Sequence, residues 1–145
     1  MNRGYAVATL DGQSAKLTSA ELGDLERRIR GKLLCPADDG WDEAVRLWNG
    51  MAGGRPALVV QPGSAEDVAV AVHFARERGL LLSVKGGGHN IAGTAVADGG
   101  MMLDMSRMRS VMVDPVARLA RVDAGCRLAE VDRTTQQHGL ATVLG

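Results

Sequence analysis

The sequence predicts a mixed α+β fold whose central part is of the α/β type, and three patterns support this. An apolar run at 57–60 is followed by a helical pattern over 64–78 and then by a second apolar run at 80–84. A strand, a helix and a strand within about 30 residues form a βαβ unit, which implies parallel strands and a right-handed crossover. Short extended segments and a last helical pattern follow, so both kinds of element continue through the chain.

Length and composition fit one globular domain or part of one. Of the 145 residues, 46% are hydrophobic, which is typical of folded proteins. The 17 basic and 17 acidic residues cancel, and aromatic residues make up only 3% of the chain. With neither a basic stripe nor a base-stacking platform, no nucleic-acid or membrane partner is predicted. No apolar stretch approaches the ~20 residues of a membrane span and no secretory pattern opens the chain, so we expect a cytoplasmic protein.

Residues 1–40 are predicted to be a lead-in followed by a helix. Residues 1–17 show weak patterning, and we expect them to be poorly ordered. Residues 18–21 read Thr-Ser-Ala-Glu, which fits a capping box at a helix start. Apolar residues then recur at helical spacing and predict one buried face: Leu22, Leu25 and Ile29.

Residues 41–145 are predicted to form the main domain. Asp42 is expected to cap a short helix that carries Trp48, and Ser64 a longer helix that ends before Gly79. The longer helix should bury a stripe formed by Val68, Ala71, Val72 and Ala75. We expect further extended segments at 101–104, 111–114 and 119–124 and a last helix at 128–138. The final residues read as the start of a new loop or strand, so we expect the domain to continue beyond 145.

A glycine-rich loop follows the second strand of the βαβ unit. Six glycines fall within 15 residues: Gly86, Gly87, Gly88, Gly93, Gly99 and Gly100. Consecutive glycines let a phosphate or pyrophosphate approach the backbone N–H groups, and the ends of strands in open α/β sheets are where ligands bind. The spacing fits neither the dinucleotide fingerprint nor a Walker A loop. The sequence therefore favours an anion-binding loop of another class, with a flexible connection as the alternative.

His89 ends the triple-glycine stretch and is the candidate for covalent chemistry. The glycines leave its ring sterically open, so a neutral imidazole there can attack an electrophilic cofactor carbon. The other two histidines, His73 and His138, fall within and at the end of predicted helices, and we expect them to be structural. The two cysteines, Cys35 and Cys126, match no metal-ligand spacing, so no metal site is predicted.

The loop and its flanking segments resemble a known family. Residues 85–93, Lys-Gly-Gly-Gly-His-Asn-Ile-Ala-Gly, are similar to the Arg-Gly-Gly-Gly-His-Ser-x-x-Gly motif of FAD-linked oxidases with the PCMH-type FAD-binding fold. The berberine-bridge-enzyme-like oxidoreductases are the nearest group. Flanking segments agree with the family in order and spacing: 55–62, 64–68, 97–108, 122–125 and 138–142. Lys85 and Asn90 depart from the motif, where arginine and serine are usual.

The resemblance implies an FAD-binding part of an FAD-dependent oxidoreductase or oxidase. It assigns cofactor contacts to Lys85, Gly86, Gly87, Gly88, His89, Asn90, Ile91 and Gly93. The backbone of 86–90 would bind the pyrophosphate, and His89 would bond to the 8α-methyl carbon of the flavin ring. For Asp104, Ser106 and Gly125, which lie in matching segments, flavin contact and packing both stay open.

The resemblance also implies the reaction and the extent of the fold. Hydride would pass from an alcohol, amine or sugar carbon of a small-molecule substrate to the flavin, with oxygen as the acceptor. No catalytic residue can be assigned. The fold would comprise the N-terminal βαβ subdomain and the start of a second subdomain, incomplete at its C-terminus because family members run to several hundred residues.

Two other hypotheses stay open. The first is that the chain is an inactive, truncated remnant that acts at most as a binding module and forms a homo-oligomer through an unpaired sheet edge. A continuing reading frame after codon 145 would argue against this hypothesis. The other is a phosphate-binding module unrelated to flavin, which would bind mononucleotides without colour.

Overall fold

The computed structural model describes residues 4–143, which form eight strands and four helices. The strands are β1 (Tyr5–Ala8), β2 (Ser14–Leu17), β3 (Lys32–Leu34), β4 (Leu58–Gln61), β5 (Leu82–Lys85), β6 (Met101–Asp104), β7 (Val111–Asp114) and β8 (Leu119–Val122). The helices are α1 (Ser19–Arg28), α2 (Trp41–Ala44), α3 (Ala65–Glu77) and α4 (Leu128–Gln136). The mixed fold class is confirmed.

A four-stranded sheet with the order β3-β4-β6-β5 lies at the centre. Strands β4, β6 and β5 are parallel, and β3 pairs antiparallel with β4 at one edge. The predicted β4–α3–β5 unit therefore has parallel strands as expected, but its two strands are not neighbours. The chain crosses to the far edge through α3 and returns through the glycine-rich loop to place β6 between them. The carboxyl ends of three parallel strands thus lie side by side.

Both faces of this sheet are covered by apolar residues. On one face, Leu58, Val60 and Met101 pack against the apolar sides of α1 and α3. On the other, Val59 and Met102 pack against α2 and the loop that precedes β6. Every residue of β6 is buried, as is typical of a central parallel strand. This two-sided burial fixes the strand ends from which the glycine-rich loop starts and to which it returns.

The N-terminal segment is a β-hairpin, so the expectation of a poorly ordered lead-in is wrong for the described residues after position 4. Strands β1 and β2 pair antiparallel, and their residues Val7 and Leu17 are buried in the main core. The connecting turn contains Asp11 and Gly12, and Gly12 has φ +80°. An Asp-Gly pair between alternating strand residues is a hairpin signal that the sequence already carried. Residues 1–3 lie outside the described residues.

Helix α1 forms as predicted. The Thr18 Oγ1 accepts a hydrogen bond from Glu21 N at 3.2 Å, and Glu21 Oε2 accepts one from Thr18 N at 2.9 Å. This reciprocal pair is the capping box, and the predicted face of the helix is buried. Because the hairpin and α1 share one core with the sheet, they pack as part of the same body; the domain division at residue 41 stays a prediction.

Two helix predictions need correction. Helix α2 is capped by Gly40 with φ +88°, not by Asp42, and it ends before it reaches Trp48. Helix α3 begins after Ser64 as predicted, but Val72 is 39% exposed, and Phe74 is buried in its place. The buried face is centred on positions 71, 74 and 75, so Val72 falls at its rim. Strand β3 was not predicted at all.

A third sheet, formed by the two strands β7 and β8, follows, with α4 packed on β7. Strand β8 ends at Val122, two residues earlier than expected. In α4, Val131 and Thr135 are buried as predicted, whereas Leu128 is 53% exposed. Residues 141–143 form no helix or strand, and the rest of the predicted terminal element lies outside the described residues. No helix among residues 4–143 is long and apolar enough to cross a bilayer.

Candidate functional site

A row of polar side chains joins the carboxyl ends of the three parallel strands. Gln61, at the end of β4, donates from Nε2 to Asp104 Oδ2 at 2.8 Å. Lys85 is the register partner of Asp104, and its Nζ lies 3.5 Å from Asp104 Oδ1. Ser106 donates to the same carboxylate from Oγ at 2.9 Å and from its backbone N at 3.3 Å. Asp104 and Ser106, for which packing and flavin contact were both open, thus belong to an internal network.

The Lys85 side chain is directed into the protein. Its Nζ donates to Ala44 O at 2.5 Å, at the end of α2, and pairs with the Asp104 carboxylate. Burial of a charged group is tolerated when it is paired and hydrogen-bonded in this way. The ammonium group is therefore engaged by two protein oxygens, and a contact between Lys85 and the cofactor would have to come from its backbone.

The triple-glycine bend disfavours side chains at two of its three positions, by close contact at Gly86 and by backbone conformation at Gly88. A Cβ on Gly86 would lie 2.8 Å from Ala124 O, because the segment before α4 runs against the loop. Gly88 is buried, has φ +73°, and a Cβ there would lie 3.3 Å from Lys85 Cε. Gly125 is equally confined, with a Cβ position that overlaps Met105 O. Gly125 therefore has a packing role at the back of the loop.

The backbone N–H groups of residues 86–90 meet no protein acceptor within the described range 4–143. The N–H of buried Gly88 would ordinarily be paired, whereas those of exposed Gly87, His89 and Asn90 are open to solvent or to a ligand. Successive donors around a glycine with positive φ make an anion-binding concavity. The loop is therefore suited to a group rich in phosphate oxygens.

The glycine-rich loop is contacted along its length by residues 44–52, which follow from the end of α2. Trp48 N donates to Gly88 O at 3.0 Å, and Asn49 Nδ2 donates to Ile91 O at 2.8 Å. Gly93 has φ +75°, and a Cβ there would lie 2.6 Å from Ala52 Cβ. We call residues 44–52 the support segment.

The His89 ring is exposed and stacks on Trp48. The two ring centroids lie 5.1 Å apart and the ring planes differ by 16°. Trp48 is 76% exposed, so it is a surface ring rather than a core residue. Neither Trp48 nor Asn49 was predicted to lie at the site, and no local motif around them points to it.

Asn90 closes the second half of the loop. Its backbone O accepts from Gly93 N at 3.2 Å, and its Oδ1 accepts from Thr94 N at 3.1 Å and from Thr94 Oγ1 at 3.2 Å. Since a backbone N–H requires an oxygen acceptor, the amide nitrogen of Asn90 is the side-chain atom left for a ligand. Ile91 is exposed beside it.

The remaining candidate groups lie away from this loop or are unreactive. Burial raises the pKa of the Cys35 thiol and of the Cys126 thiol, so both are protonated at neutral pH. Cys126 Sγ donates to Ser110 O at 3.4 Å, which is consistent with a structural role. Residues 4–143 contain no group of three His, Cys, Asp or Glu side chains that could hold a metal ion.

Comparison with known proteins connects this loop to one cofactor. The family model described as FAD binding domain matches residues 56–145. The (R)-6-hydroxynicotine oxidase of Paenarthrobacter nicotinovorans is 38% identical over 117 residues, which make up 81% of this chain and 26% of that protein. The FAD-linked oxidoreductase hasG of Aspergillus fumigatus is 33% identical over 130 residues, or 89% of this chain and 28% of that protein.

Solved structures agree with the sequence matches. The crystal structure of 6-hydroxy-D-nicotine oxidase from Arthrobacter nicotinovorans has a TM-score of 0.77 at 38% identity, with 81% of this chain and 26% of that chain covered. BBE-like 1 of Physcomitrella patens has a TM-score of 0.71 at 23% identity, with 80% and 26% covered, and shows the fold alone. The chain spans about a quarter of the length of these relatives. The predicted resemblance to FAD-linked oxidases of the PCMH type is confirmed.

Proposed function

This chain belongs to the family of FAD binding domains, and we propose that residues 41–145 are the part of an FAD-dependent oxidoreductase that holds the FAD pyrophosphate. The observation that carries this proposal is the run of five backbone N–H groups, residues 86–90, that meet no acceptor among residues 4–143. A pyrophosphate supplies several charged oxygen acceptors, and such donors are strong partners for them. FAD is the cofactor that the family shares. Residues 1–40 would precede this domain and pack on it.

The eight residues assigned to the cofactor would contribute in different ways. Gly86 through Asn90 would present backbone N–H groups, with the Lys85 side chain holding the loop from inside. The amide nitrogen of Asn90 would donate to a phosphate oxygen, since its Oδ1 is held by Thr94. Ile91 would provide exposed apolar surface, and Gly93 would allow the close approach of the support segment.

We further propose that His89 binds the flavin ring covalently. A ring nitrogen of His89 would form a C–N bond to the 8α carbon while that carbon loses one proton and the imidazole loses another. The electron pair of the broken C–H bond passes to the flavin, so dioxygen must reoxidise it. The exposed, sterically open ring of His89 supports this role.

The proposed reaction of the complete enzyme is hydride transfer from an alcohol, amine or sugar carbon to the flavin, with dioxygen as acceptor. Relatives named as oxidases and FAD-linked oxidoreductases support this class. A bound flavin supplies the redox chemistry, and the protein supplies binding and orientation. The described residues offer no group that we assign to the substrate.

The test uses the complete open reading frame that encodes this chain, purified with FAD and precipitated with acid. We expect yellow protein whose colour stays with the precipitate. His89→Ala should bind FAD but release it into the acid supernatant. His73→Ala, an exposed histidine on α3, is the matched control and should behave as the unchanged protein. A folded protein that stays colourless and does not bind FAD would overturn the proposal.

A further inference from the structure

Trp48 and His89 form a contact that the proposed cofactor roles do not use. Their rings are nearly parallel and stacked, yet Trp48 packs in neither hydrophobic core. Stacked aromatic pairs have a preferred relative orientation, so the indole restricts the directions that the imidazole can adopt. A surface tryptophan whose ring contacts the proposed nucleophile can act on the orientation of that ring.

The backbone around both rings is fixed. Trp48 N donates to Gly88 O at 3.0 Å, one residue before His89. Asn49 Nδ2 donates to Ile91 O at 2.8 Å, two residues after it. With the main chain tied on both sides of His89, rotation about the side-chain bonds of His89 is the freedom that remains. The indole face limits this rotation.

Stacking covers a face of the imidazole but leaves its edge accessible. The lone pair of the unprotonated ring nitrogen lies in the plane of the ring, so a stacked imidazole still offers it to an electrophile. An imidazole that samples many orientations would present this lone pair to the flavin carbon only part of the time. Restricting it raises the fraction of productive encounters.

We propose that Trp48 is a positioning residue that orients the His89 imidazole for bond formation with the flavin 8α carbon. This inference rests on the covalent attachment proposed above, and the electron and proton balance of the step is the one given there, with dioxygen as the oxidant. Trp48 acts through His89 and takes no part in the bond itself. The support segment thus both holds the loop and orients its nucleophile.

The first test needs no flavin. In the complete protein, the His89 ring protons are followed by NMR at fixed pH, since stacking on an indole shifts them upfield. Trp48→Ala should move these signals toward those of an unstacked imidazole, and Trp48→Phe should retain part of the shift. Met51→Ala, another exposed residue of the support segment, is the control and should leave the signals in place. Unchanged His89 signals in Trp48→Ala would overturn the inference.

The second test measures the rate at which acid-stable flavin appears after FAD is added to apoprotein. We expect Trp48→Ala to attach FAD at least about tenfold more slowly, with the affinity for non-covalent FAD little changed, and Trp48→Phe to restore much of the rate. Equal rates in Trp48→Ala and the unchanged protein would overturn the inference alone. Bound FAD that is never attached in the unchanged protein would overturn the proposed attachment, and the positioning role would fall with it. The fluorescence of buried Trp41 reports that each variant is folded.

Discussion

Lys85 Nζ and Asp104 Oδ1 lie 3.5 Å apart at neighbouring strand ends, with their side chains only 9% and 1% exposed. The pair lies at the base of the site, where the glycine-rich loop begins at the residue after Lys85. Asp104 also accepts from Gln61 and Ser106, so its charge is fully surrounded by donors. The base of the loop is thus fixed by a buried network rather than by contacts with solvent-exposed groups.

Removal of the Lys85 charge should destabilise the protein. Lys85→Met leaves the Asp104 carboxylate buried without its cation, and we expect the free energy of unfolding to fall by about 3–5 kcal/mol. Lys85→Arg keeps the charge and should cost less. Urea denaturation measures the free energy of unfolding of both variants. Lys32→Met, on the exposed surface of β3, is the control. A Lys85→Met variant as stable as the control would show that the ion pair contributes nothing.

Gly88 and Gly87 should respond differently to alanine. Gly88→Ala places a Cβ at φ +73° and 3.3 Å from Lys85 Cε, so we expect a loss of about 1–2 kcal/mol in stability. The distorted loop should also bind FAD at least about tenfold more weakly, followed by flavin fluorescence. At Gly87 the added Cβ would meet only His89 Cδ2 at 3.6 Å, and the change should be small. Equal effects at the two positions would contradict the loop geometry.

Asp67 should make stability sensitive to acid. Burial opposes its ionisation, but hydrogen bonds from the backbone N–H groups of Arg30, Gly63 and Gly31 outweigh burial and lower the pKa of this carboxyl. A carboxyl with a lowered pKa stabilises the fold above its ordinary pKa of about 4, and this contribution disappears as the pH falls through the lowered value.

Replacement of Asp67 by asparagine tests this relation. We expect Asp67→Asn to lower the free energy of unfolding by about 2 kcal/mol at pH 7 and the difference from the unchanged protein to shrink below about pH 4. Urea denaturation at several pH values gives both quantities. Asp39→Asn, an exposed carboxylate, should change neither. A difference that is constant with pH would exclude ionised Asp67 as the cause.

The N-terminal hairpin should depend on the backbone conformation of Gly12. Gly12→Ala forces φ +80° on a residue with a Cβ, although no atom lies within 4 Å, so we expect a cost of about 1 kcal/mol from strain alone. Gly50 also has open space around it but no positive φ, and Gly50→Ala should be neutral or slightly stabilising. Thermal unfolding compares the stability of the two variants. A Gly12→Ala variant no less stable than Gly50→Ala would show that the turn is not strained.

Local signals in the sequence were sufficient for the starts of α1 and α3 and for the loop. The capping residues Thr18 and Ser64 act on donors within three residues, so their effect can be predicted from neighbouring sequence. The motif at 85–93 likewise identified the family. The insertion of β6 between β4 and β5 could not be predicted in this way, because strand order depends on contacts between residues far apart in the chain.

The same limit applies within the site. Trp48 and His89 are 41 positions apart, and their stacking depends on the support segment and the loop meeting across the sheet end. The direction of the Lys85 side chain could not be predicted from strand alternation, because the pattern of β5 favours burial of Leu82 and Val84, whereas the structure buries Ser83 and Lys85. The sequence motif instead assigned Lys85 to contact with the cofactor. The hairpin was missed because Asp11-Gly12 was not weighed as a turn.

The central position of β6 has a consequence for the order of assembly. Neighbouring strands lie about 4.8 Å apart, so β4 and β5 alone would face each other across a gap of about 10 Å. In the finished sheet this gap is filled by residues 101–104. The glycine bend follows β5 and precedes β6, so both strands that border it are in place only in the complete sheet. The polar strand ends beneath the loop, Gln61, Lys85 and Asp104, therefore come together only through the strand that arrives last in the sequence.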